Sequence, residues 1–388
     1  MSVKGLDVLV VGGGVAGIGA ASAFAQRGAQ VTLLEQAADF LEVGAGLQIS
    51  PNGARVIAAL GQGASLDQLG TRSRAVVLRK GATGAEVLRM ALPQDGPGFH
   101  LIHRADLIEV LRGGLTDVET RKLARVVAVA PDGPRPSVSL EDGAQLSADL
   151  VLGADGLHSV IRPALAAQPA QAPFFTGQVA WRALIPCTPD EAPEAQVFMG
   201  PGRHLVSYPL RNGRLRNIVA VEERADWAAE GWSHPGDPDA LRHAFAGFGG
   251  PVPDWLAQVE TLWLWGLFRH PVAARWHRGQ AAILGDAAHP TLPFMAQGAN
   301  LALEDAWSLA HVLDAAPSVA AGLSAWQDAR APRVARVIEA ANRNARNYHL
   351  RPPLAPLAHL ILRATGHIMP GAPLRQFAWI YDHDVTAA

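Results

Sequence analysis

The first 35 residues of the chain constrain its fold more than any other segment. Asp7 to Val11 (DVLVV) is a continuous apolar run, typical of a strand buried in a parallel sheet, and a glycine-rich turn and many small residues follow it. A second apolar run ends at Glu35. The order strand, turn, helix, strand predicts an α/β fold of the Rossmann type. The turn residues that we expect to contact a nucleotide are Gly12, Gly14, Val15, Ala16 and Gly17.

Glu35 supports nucleotide binding independently of the glycines. It lies 18 residues after Gly17, close to the position where a dinucleotide-binding fold places its ribose-binding acid. Its negative charge would repel a 2′-phosphate, which favours the adenosine half of FAD or NAD. A GxGxxG turn alone is weak evidence, because glycine-rich turns also occur for structural reasons. The strand before it, the helix after it and Glu35 together favour nucleotide binding.

A second segment, Ala281 to Asp305, also has the features of a cofactor site. A short apolar strand leads to Asp286, and an acid at the carboxyl edge of a sheet can accept hydrogen bonds from ligand hydroxyls. The following helix begins with Gly298, Ala299 and Asn300, so its free amides can approach a flat ring and its positive end favours negative charge. These properties suit the ribityl chain and the ring of a flavin.

Two further residues are candidates for binding a nucleotide or another anion. Asp155 ends the strand in ADLVLGADGLHSVIR, where it either serves ligand hydroxyls or forms an Asp-Gly turn that caps a helix. Spacing alone does not separate these alternatives. Arg104 stands at the start of a helical pattern, where an unpaired cation is unfavourable, and this favours an anion-binding role. We expect Asp106 to cap the same helix.

Segments of different periodicity interrupt the dinucleotide-binding pattern. Residues 75–92 and 177–223 are rich in Val, Leu and Ile with short turns, as in an antiparallel sheet. We predict a Rossmann-like nucleotide-binding domain with C-terminal helices, into which an α+β substrate domain on a largely antiparallel sheet is inserted. The first domain comprises residues 1–68, 101–166 and 275–388, and the second residues 69–100 and 167–274. Ala/Pro-rich joints are expected at residues 164–173 and 189–195.

Asn212-Gly213 marks the clearest hairpin in the chain. A tight turn there would pair Tyr208 with Asn217, and His204 would share the face of Tyr208 because alternate residues of a strand point to the same side. This face is either an exposed polar surface or a pocket wall that can bind and deprotonate a phenol. The pattern leaves both interpretations open.

Five residues elsewhere have a functional and a structural interpretation. Pro293 would restrict water near the reactive side of a flavin, since its ring is rigid and lacks an amide proton. His289 is interpreted as a structural hydrogen-bonding residue. Arg182 either binds a substrate carboxylate or is paired inside the sheet. Trp263 and Trp265 are most simply core or sheet-face aromatics.

Composition limits the classes of function. The 388 residues, 49% of them apolar, can fill more than one core, and the net charge of -2 does not favour a nucleic-acid partner. No apolar run reaches the roughly 18 residues of a membrane span. The single cysteine, Cys187, excludes an internal disulfide, is typical of a reducing compartment and cannot form a thiolate metal cluster. We therefore expect a cytoplasmic monomer or homodimer without a metal site.

Motifs spread over nearly the whole chain resemble one family. They are GGGVAG with Glu35, VGAGLQISPNGAR (Val43 to Arg55), HRADL, GADGLHSVIR, TGQVAWR, GPGRHLVSYPL, GDAAHP with AQGANLALEDA, and WIYDHD (Trp379 to Asp384). Together they resemble the single-component FAD-dependent aromatic hydroxylases of the salicylate hydroxylase and 3-hydroxybenzoate 6-hydroxylase group. The GxGxxG, DG and GD motifs are specific for the superfamily, and the other motifs narrow the resemblance to the group.

The resemblance implies roles for individual residues. Glu35 and Arg104 would hold FAD, Asp286 its ribityl or pyrophosphate part, and Asp155 both FAD and NAD(P)H. Gly298, Ala299 and Asn300 at the start of a helix would lie beside the isoalloxazine, and Gly46 to Gln48 would also flank its ring. His204 and Tyr208 would form a catalytic pair.

The resemblance also implies an activity. NAD(P)H would reduce FAD, dioxygen would form a flavin C4a-hydroperoxide, and a phenolic aromatic acid such as a hydroxybenzoate or salicylate would be hydroxylated. A base, His204 directly or through Tyr208, would convert the phenol to the more reactive phenolate. The alternatives are an FAD-dependent oxidase or reductase and a hydroxylase of heteroaromatic or larger rings. Because no second GxGxxG follows Gly17, NAD(P)H is expected to bind transiently near the flavin.

Overall fold

The computed structural model describes residues 2–39, 45–167, 172–188, 190–225 and 234–387. The sequence interpretations of Val43 and of parts of the two Ala/Pro-rich joints, residues 168–171 and 189, lie outside these ranges. None of the helices in the described ranges combines the length and apolar character needed to cross a membrane.

The described chain contains both strands and helices. The strands are β1 (Asp7–Val11), β2 (Gln30–Leu34), β3 (Gly46–Ile49), β4 (Thr71–Arg72), β5 (Ala75–Lys80), β6 (Glu86–Ala91), β7 (His100–His103), β8 (Val118–Arg121), β9 (Val126–Ala130), β10 (Ser137–Leu140), β11 (Gln145–Ser147), β12 (Leu150–Gly153), β13 (Phe174–Pro186), β14 (Glu194–Gly200), β15 (Arg203–Leu210), β16 (Leu215–Glu223), β17 (His234–Pro235), β18 (Trp263–Arg269), β19 (His277–Arg278) and β20 (Ala281–Ile283). The helices are α1 (Val15–Ala25), α2 (Pro51–Ala59), α3 (Gly63–Leu69), α4 (Arg104–Arg112), α5 (Ile161–Leu165), α6 (Pro238–Ala244), α7 (Val252–Ala257), α8 (Gly298–Ala315), α9 (Val319–Tyr348), α10 (Leu354–Ile368), α11 (Ala372–Arg375) and α12 (Ala378–Tyr381), with 3₁₀ turns at Gly285–Ala287 and Pro293–Met295.

The amino-terminal unit forms the centre of a six-stranded sheet with the order β19-β20-β12-β1-β2-β8. Its five strands from β20 to β8 are parallel, and only β19 is antiparallel. Val8 to Val11 are buried because the sheet is covered on both faces, which explains the continuous apolar run in the sequence. The predicted fold class is confirmed.

Two glycines of the first turn are required by close backbone approach. Gly12 has φ +105°, and a Cβ built on it would lie 2.4 Å from the carbonyl oxygen of Ala154. A Cβ on Gly17 would lie 1.8 Å from the carbonyl oxygen of Gly12. Side chains at these positions would push β1, α1 and the end of β12 apart, so the turn can only be built from glycine.

A second, eight-stranded sheet has the order β17-β18-β13-β16-β15-β14-β5-β6. All its pairings are antiparallel except β5 with β14. The predicted hairpin is present with the predicted register, since Tyr208 faces Asn217 and His204 faces Val221. Arg211, Asn212 and Gly213 all have positive φ in its turn, which explains the Asn-Gly signal.

The predicted domain boundaries remain a prediction, but the strands of the large sheet fall inside the predicted substrate segments. The sheet β3-β7-β4 connects the two regions. Its strand β3 lies beside the large sheet, because the amide of Gly46 donates to the Asn217 side chain at 2.8 Å. A third small sheet, β11-β10-β9, is an antiparallel meander.

Helix α8 connects the first sheet with the carboxyl-terminal helices. It packs along α1, where a Cβ on Gly19 would already touch Ala306 at 3.3 Å, and its other neighbours are α2 and α9. The end of α9 then approaches the large sheet, so that Tyr348 packs against His204 with ring centroids 5.3 Å apart. The predicted C-terminal helical region is therefore part of the wall between the two sheets.

Candidate active site

A cavity of about 790 Å³ lies between the carboxyl edge of the six-stranded sheet and one face of the eight-stranded sheet. This volume is in the range of cofactor and ligand sites. Most of the candidate residues named from the sequence line it. They are Gly12, Gly14, Val15, Ala16, Glu35, Gln48, Arg104, Asp155, Arg182, His204, Tyr208, Asp286, Pro293, Gly298 and Ala299.

The glycine turn and helix α1 form the nucleotide end of the cavity. A Cβ on Gly14 would meet no atom within 4 Å, so this position leaves open space where a ligand can approach the backbone. No side chain caps α1 and no acid lies in its first turn, which leaves its amides and positive dipole end available to a phosphate. Glu35 accepts hydrogen bonds from the amides of Gly13 and Ala37, both at 2.7 Å, and is held at this edge.

Of the two interpretations of Asp155 that the sequence left open, the structure shows the helix cap, and ligand binding stays a prediction. Its Oδ2 accepts hydrogen bonds from the amides of Val160 at 2.8 Å and Ile161 at 3.2 Å, so it caps α5. Its Oδ1 is buried and has no hydrogen-bond partner among the described residues. Burial raises the pKa of this carboxyl against the opposing effect of its hydrogen bonds. One oxygen is therefore structural, and the other can receive a ligand donor.

Arg104 and Asp286 form the central charged part of the cavity. Burial lowers the pKa of Arg104, and the charge of Asp286 partly offsets this effect. Burial raises the pKa of Asp286, and His289 and Arg104 act in the opposite direction by lowering it. Asp286 lies deep in the protein and is accessible to solvent as one of the residues that line the cavity. A cation and an acid at this position can bind pyrophosphate oxygens and hydroxyls, respectively.

The predicted cap of α4 is wrong. Nδ1 of His103 accepts a hydrogen bond from the amide of Ala105 at 3.2 Å, so His103 is the capping residue. Asp106 instead pairs with Arg211 at 2.7 and 2.9 Å. The ion pair with the hairpin turn is available only in the folded protein, which is why the local pattern favoured the cap.

The start of α8 brings two small residues to the cavity. Gly298 and Ala299 line it, whereas Asn300 is fully buried behind them. The Asn300 side chain accepts from the amide of Ser50 at 3.0 Å and donates to the carbonyl of Gln48 at 3.1 Å. It thereby holds β3 against α8. Gly17 also lies outside the cavity lining, since its role is in the packing of the turn.

The eight-stranded sheet supplies the opposite wall in ordered rows. Strand register places Arg182, Val219 and Val206 in one row, and Trp265, Ala180, Val221 and His204 in the next. Tyr208 and Asn217 belong to a third row. Residues directly opposite each other share a face, so these side chains project to the same side of the sheet. The pocket-wall interpretation of this face agrees with its position in the cavity.

His204 is the buried base of this wall. It is 1% exposed, and its Nδ1 lies 2.7 Å from Nε2 of His349. Burial holds the pKa of His204 well below its ordinary value, and the neighbouring His349 lowers it further. The imidazole is therefore neutral at physiological pH. Because one ring nitrogen is engaged by His349, the other, Nε2, is the one able to accept a proton from a ligand.

His204 and Tyr208 are separated along their strand. Four residues of a strand span about 13 Å, which excludes a direct hydrogen bond between the two side chains. Tyr208 instead packs against β3, since a Cβ on Gly46 would lie 2.6 Å from its ring. Burial raises the pKa of its phenol, so it stays protonated. Tyr208 can donate a hydrogen bond, but it is not placed to pass a proton to His204.

Arg182 is the cation of the wall. Its guanidinium lies over the Trp265 ring at 4.1 Å from the centroid, and its Nε is buried without a hydrogen-bond partner. No acid in the described part of the chain forms an ion pair with it. Burial lowers the pKa of Arg182 to about 10, with Tyr208 and Arg104 exerting smaller, opposite effects. Arg182 thus stays charged at neutral pH beside the cavity, and its contact with the Trp265 ring stabilises the charge.

Pro293 and His289 have different positions. Pro293 begins the 3₁₀ turn Pro293–Met295 and lines the cavity next to Phe294, whose ring packs on His204 at 5.5 Å. His289 is fully buried outside the lining, and its Nε2 lies 2.5 Å from Oδ2 of Asp305. Its structural interpretation agrees with this position, whereas Pro293 can shape the reaction side of the cavity.

The residues present fit FAD. The open space at Gly14, the uncapped start of α1, the unpartnered Oδ1 of Asp155 and the exposed carboxylate of Asp286 provide the contacts that a dinucleotide with hydroxyls and a pyrophosphate requires. The cavity then continues to the wall of His204 and Arg182, where a second, smaller ligand can be placed.

Sequence reasoning missed two residues that the structure brings to His204. Nδ1 of His349 lies 3.0 Å from Glu223, so His204, His349 and Glu223 form one hydrogen-bonded series. His349 follows α9, and nothing in its local sequence indicates a partner 145 residues away. One sequence feature could have indicated that Glu223 lies near His204: it ends the hairpin strand that pairs with the strand of His204.

Comparisons with known proteins agree with this site. An FAD binding domain family matches residues 5–341. A 3-amino-4-hydroxybenzoate 2-monooxygenase of Streptomyces platensis is 35% identical over 98% of this chain and 96% of its own length. A 3-hydroxybenzoate 6-hydroxylase of Klebsiella oxytoca is 31% identical over 89% of both chains. A solved substrate complex of salicylate hydroxylase superposes with a TM-score of 0.84 and 25% identity, covering 100% of this chain and 97% of that one.

Proposed function

Since the chain belongs to the FAD-dependent aromatic monooxygenases, we propose that it uses NAD(P)H and dioxygen to hydroxylate a phenolic aromatic acid. The observation that carries this proposal is the combination of Arg182, a cation with no acidic partner in the described chain, and neutral His204 in one apolar wall. A ligand with a carboxylate and a phenol supplies the complement to both. The names of the relatives agree with this class of substrate.

Residues at the nucleotide end would hold FAD. The turn from Gly12 to Ala16 and the start of α1 suit the pyrophosphate, Glu35 the ribose, and Asp286 and Arg104 the central part of the cofactor. Asp155 offers its unpartnered oxygen at the same edge. Gln48, Gly298 and Ala299 approach the region between this end and the substrate wall. When bound, FAD takes a hydride from NAD(P)H and activates dioxygen for transfer of one oxygen atom.

The substrate wall would orient and activate the aromatic ring. Arg182 binds the carboxylate in a fixed direction because its guanidinium is stacked on Trp265. His204 accepts the phenol proton, which is possible at neutral pH because burial keeps the imidazole uncharged. A phenolate pushes electron density into the ring and makes its carbons better nucleophiles. Tyr208 donates a hydrogen bond, and Pro293 restricts water on the cofactor side.

The test is a screen with the purified FAD-loaded protein. Salicylate, 3-hydroxybenzoate, 4-hydroxybenzoate and 3-amino-4-hydroxybenzoate are offered with NADH or NADPH under ¹⁸O₂. We expect one of these acids to stimulate NAD(P)H oxidation and to gain a single ¹⁸O atom, detected by mass spectrometry. Stimulated oxidation that yields only hydrogen peroxide with every acid would support an oxidase instead. Turnover with an artificial electron acceptor and no dioxygen would support a reductase.

The cellular setting and assembly belong to the same proposal. We propose a cytoplasmic enzyme, since a reducing compartment suits its single cysteine and supplies NAD(P)H. It would act as a monomer or a homodimer, which light scattering of the FAD-loaded protein would distinguish.

A further inference from the structure

The buried wall of the substrate cavity is connected to the protein surface by ionisable side chains. His204 Nδ1 lies 2.7 Å from His349 Nε2, and His349 Nδ1 lies 3.0 Å from Glu223 Oε1. His204 and His349 are buried, whereas the Glu223 side chain is 43% exposed. Glu223 also lines a shallow depression of about 400 Å³, together with Gln178 and Arg224. The series therefore begins in the cavity and ends in solvent.

We propose that His349 and Glu223 form a proton relay that carries the substrate's phenolic proton from His204 to water. The proposal rests on the proposed function, because it needs a phenol at His204. A proton left on His204 would place a cation at a site that is 1% exposed. Passing the proton outward removes this cost, since the final acceptor is a carboxylate in contact with water.

The transfer balances without any other reactant. The phenol O–H bond breaks as an N–H bond forms at His204 Nε2, and His204 releases its Nδ1 proton to His349 Nε2. His349 releases its own Nδ1 proton to Glu223 Oε1, from which it passes to water. Each imidazole remains neutral and has changed from the tautomer protonated at Nδ1 to the one protonated at Nε2. Return of a proton to the product along the same path restores the original tautomers before the next cycle.

Burial and the surrounding charges keep both imidazoles of this series neutral. Burial lowers the pKa of His349, Glu223 raises it, and Arg203 and Arg351 lower it. A charged imidazole is therefore not the resting state of either histidine. Arg351 lies 3.3 Å from the second oxygen of Glu223, which keeps that carboxylate oriented while Oε1 faces His349. Phe294 and Tyr348 pack on His204 and exclude water from the first step.

Glu223→Gln separates proton transfer from hydrogen bonding. The amide oxygen can still accept from His349, but it cannot take up a proton. The matched control is Glu222→Gln, since this neighbouring acid pairs with Arg224 at 3.0 Å outside the series. Glu223→Asp tests rescue, because it restores a carboxyl group. His349→Gln interrupts the preceding step.

The probe is 4-hydroxy-3-nitrobenzoate, whose phenolate absorbs visible light, mixed with the oxidised FAD-loaded enzyme without NAD(P)H, in weak buffer acidic enough to keep the phenol of the free probe protonated. Stopped-flow absorbance follows ionisation of the probe, and a pH-indicator dye follows arrival of the proton in solvent. We expect Glu223→Gln and His349→Gln to slow both signals by about ten-fold or more, within the usual range for a proton-transfer group. Glu222→Gln should match the wild type, and Glu223→Asp should recover part of the rate.

The outcomes distinguish the relay from the function on which it rests. Wild-type rates in Glu223→Gln and His349→Gln would overturn the relay and leave the hydroxylase proposal intact. Slow ionisation in Glu223→Gln without any recovery in Glu223→Asp would assign the effect to structure and also overturn the relay. If the wild type neither binds the probe nor hydroxylates any acid of the screen, the proposed function fails and the relay fails with it.

Discussion

Two buried groups of ionisable side chains in this protein differ in how they are partnered. Between α8 and α9, Glu304 and Asp305 pair with Arg330 at 2.6 and 2.9 Å, and Arg333 adds a second pair to Glu304 at 2.7 Å. In the cavity, by contrast, the described residues offer Arg182 no carboxylate and leave Asp155 Oδ1 without a donor. The charges of the first group satisfy one another, and we propose that a ligand satisfies those of the second. On this proposal, partnering separates charges that stabilise the fold from charges that recognise a molecule.

The same contrast is visible in the pKa values. Burial alone would raise the pKa of Glu304 and Asp305, but Arg330 and their other partners hold both below the ordinary value. The pKa of Asp286 and Asp155 is raised instead, because burial outweighs their partners. Ionised acids in the first group are part of the native state. Those in the cavity gain most when a ligand supplies hydrogen bonds.

Breaking the self-partnered group should have the largest effect on stability. Arg330→Met keeps the helix and the volume but leaves Asp305 buried without its arginine and Glu304 with Arg333 alone, which should lower the free energy of unfolding by about 3–5 kcal/mol. Chemical denaturation of the FAD-saturated protein measures it. Arg343→Met is the control, since Arg343 and Glu339 form an exposed pair and its loss should cost less than about 0.5 kcal/mol. Equal losses in the two variants would show that the buried group contributes no more to the free energy of unfolding than an exposed ion pair does.

Changing the base should affect chemistry far more than stability. His204→Gln should lower the rate of hydroxylation by about 100-fold or more, because a general base contributes on that scale, while the protein keeps its yellow FAD and releases hydrogen peroxide. Product yield per NAD(P)H, measured by mass spectrometry, tests this. Leu205→Val is the reciprocal control: Leu205 packs in the apolar cluster on the opposite face, so stability should fall and coupling should persist. An unchanged product yield in His204→Gln would remove His204 from the reaction.

Replacing Arg182, which has no acidic partner among the described residues, should change substrate binding specifically. Arg182→Met should raise the KM for the carboxylate substrate by about 10- to 100-fold, since a hydrogen bond to a charged group contributes roughly 1.5–3 kcal/mol. Turnover of the corresponding phenol without the carboxylate should hardly change. Arg182→Lys should recover part of the affinity but not all, because lysine lacks the planar fork. A uniform loss with both substrates would indicate that Arg182 supports the sheet rather than the ligand.

The two groups should also lose stability in different pH windows. His204 has a lowered pKa in the folded state, so below about pH 6.5 the unfolded chain binds a proton that the native state resists, and stability falls as pH falls. One such histidine contributes up to about 1.4 kcal/mol per pH unit. Glu304 and Asp305 have lowered pKa values, so their contribution persists until the pH falls below the ordinary range of carboxylates. Denaturation between pH 7 and 5 should therefore show a shallower decline in His204→Gln than in the wild type, and identical slopes would contradict a buried neutral His204.

The elements that could be predicted from the sequence are those in which neighbours along the chain decide the structure. The strand–turn–helix of residues 7–25 follows from period and glycine spacing, and Gly12 and Gly17 are required by contacts within the turn and its adjacent strand. The hairpin was predictable in register because Asn212-Gly213 fixes both strands. Its alternation then correctly placed His204 and Tyr208 on one face.

Local pattern failed where a partner lies far away. Asp106 has the right position for a cap, yet it pairs with Arg211, 105 residues later. Trp265 could be assigned to the sheet, but its contact with Arg182 depends on the pairing of β13 with β18. Asn300 lies at the start of the expected cofactor helix, yet its side chain bonds to β3, about 250 residues before it.

By itself, the sequence determined the α/β class, the nucleotide turn, the acids at the strand ends and the face that His204 shares with Tyr208, because each depends on periodicity or on spacing within one segment. The tertiary structure alone decided that Arg182 has no acidic partner in the described chain while Arg330 has two, and that His349 and Glu223 reach His204. The physical reason is that the role of a charged side chain depends on the groups around it. Those groups come from segments that meet only when the sheets and α9 pack together.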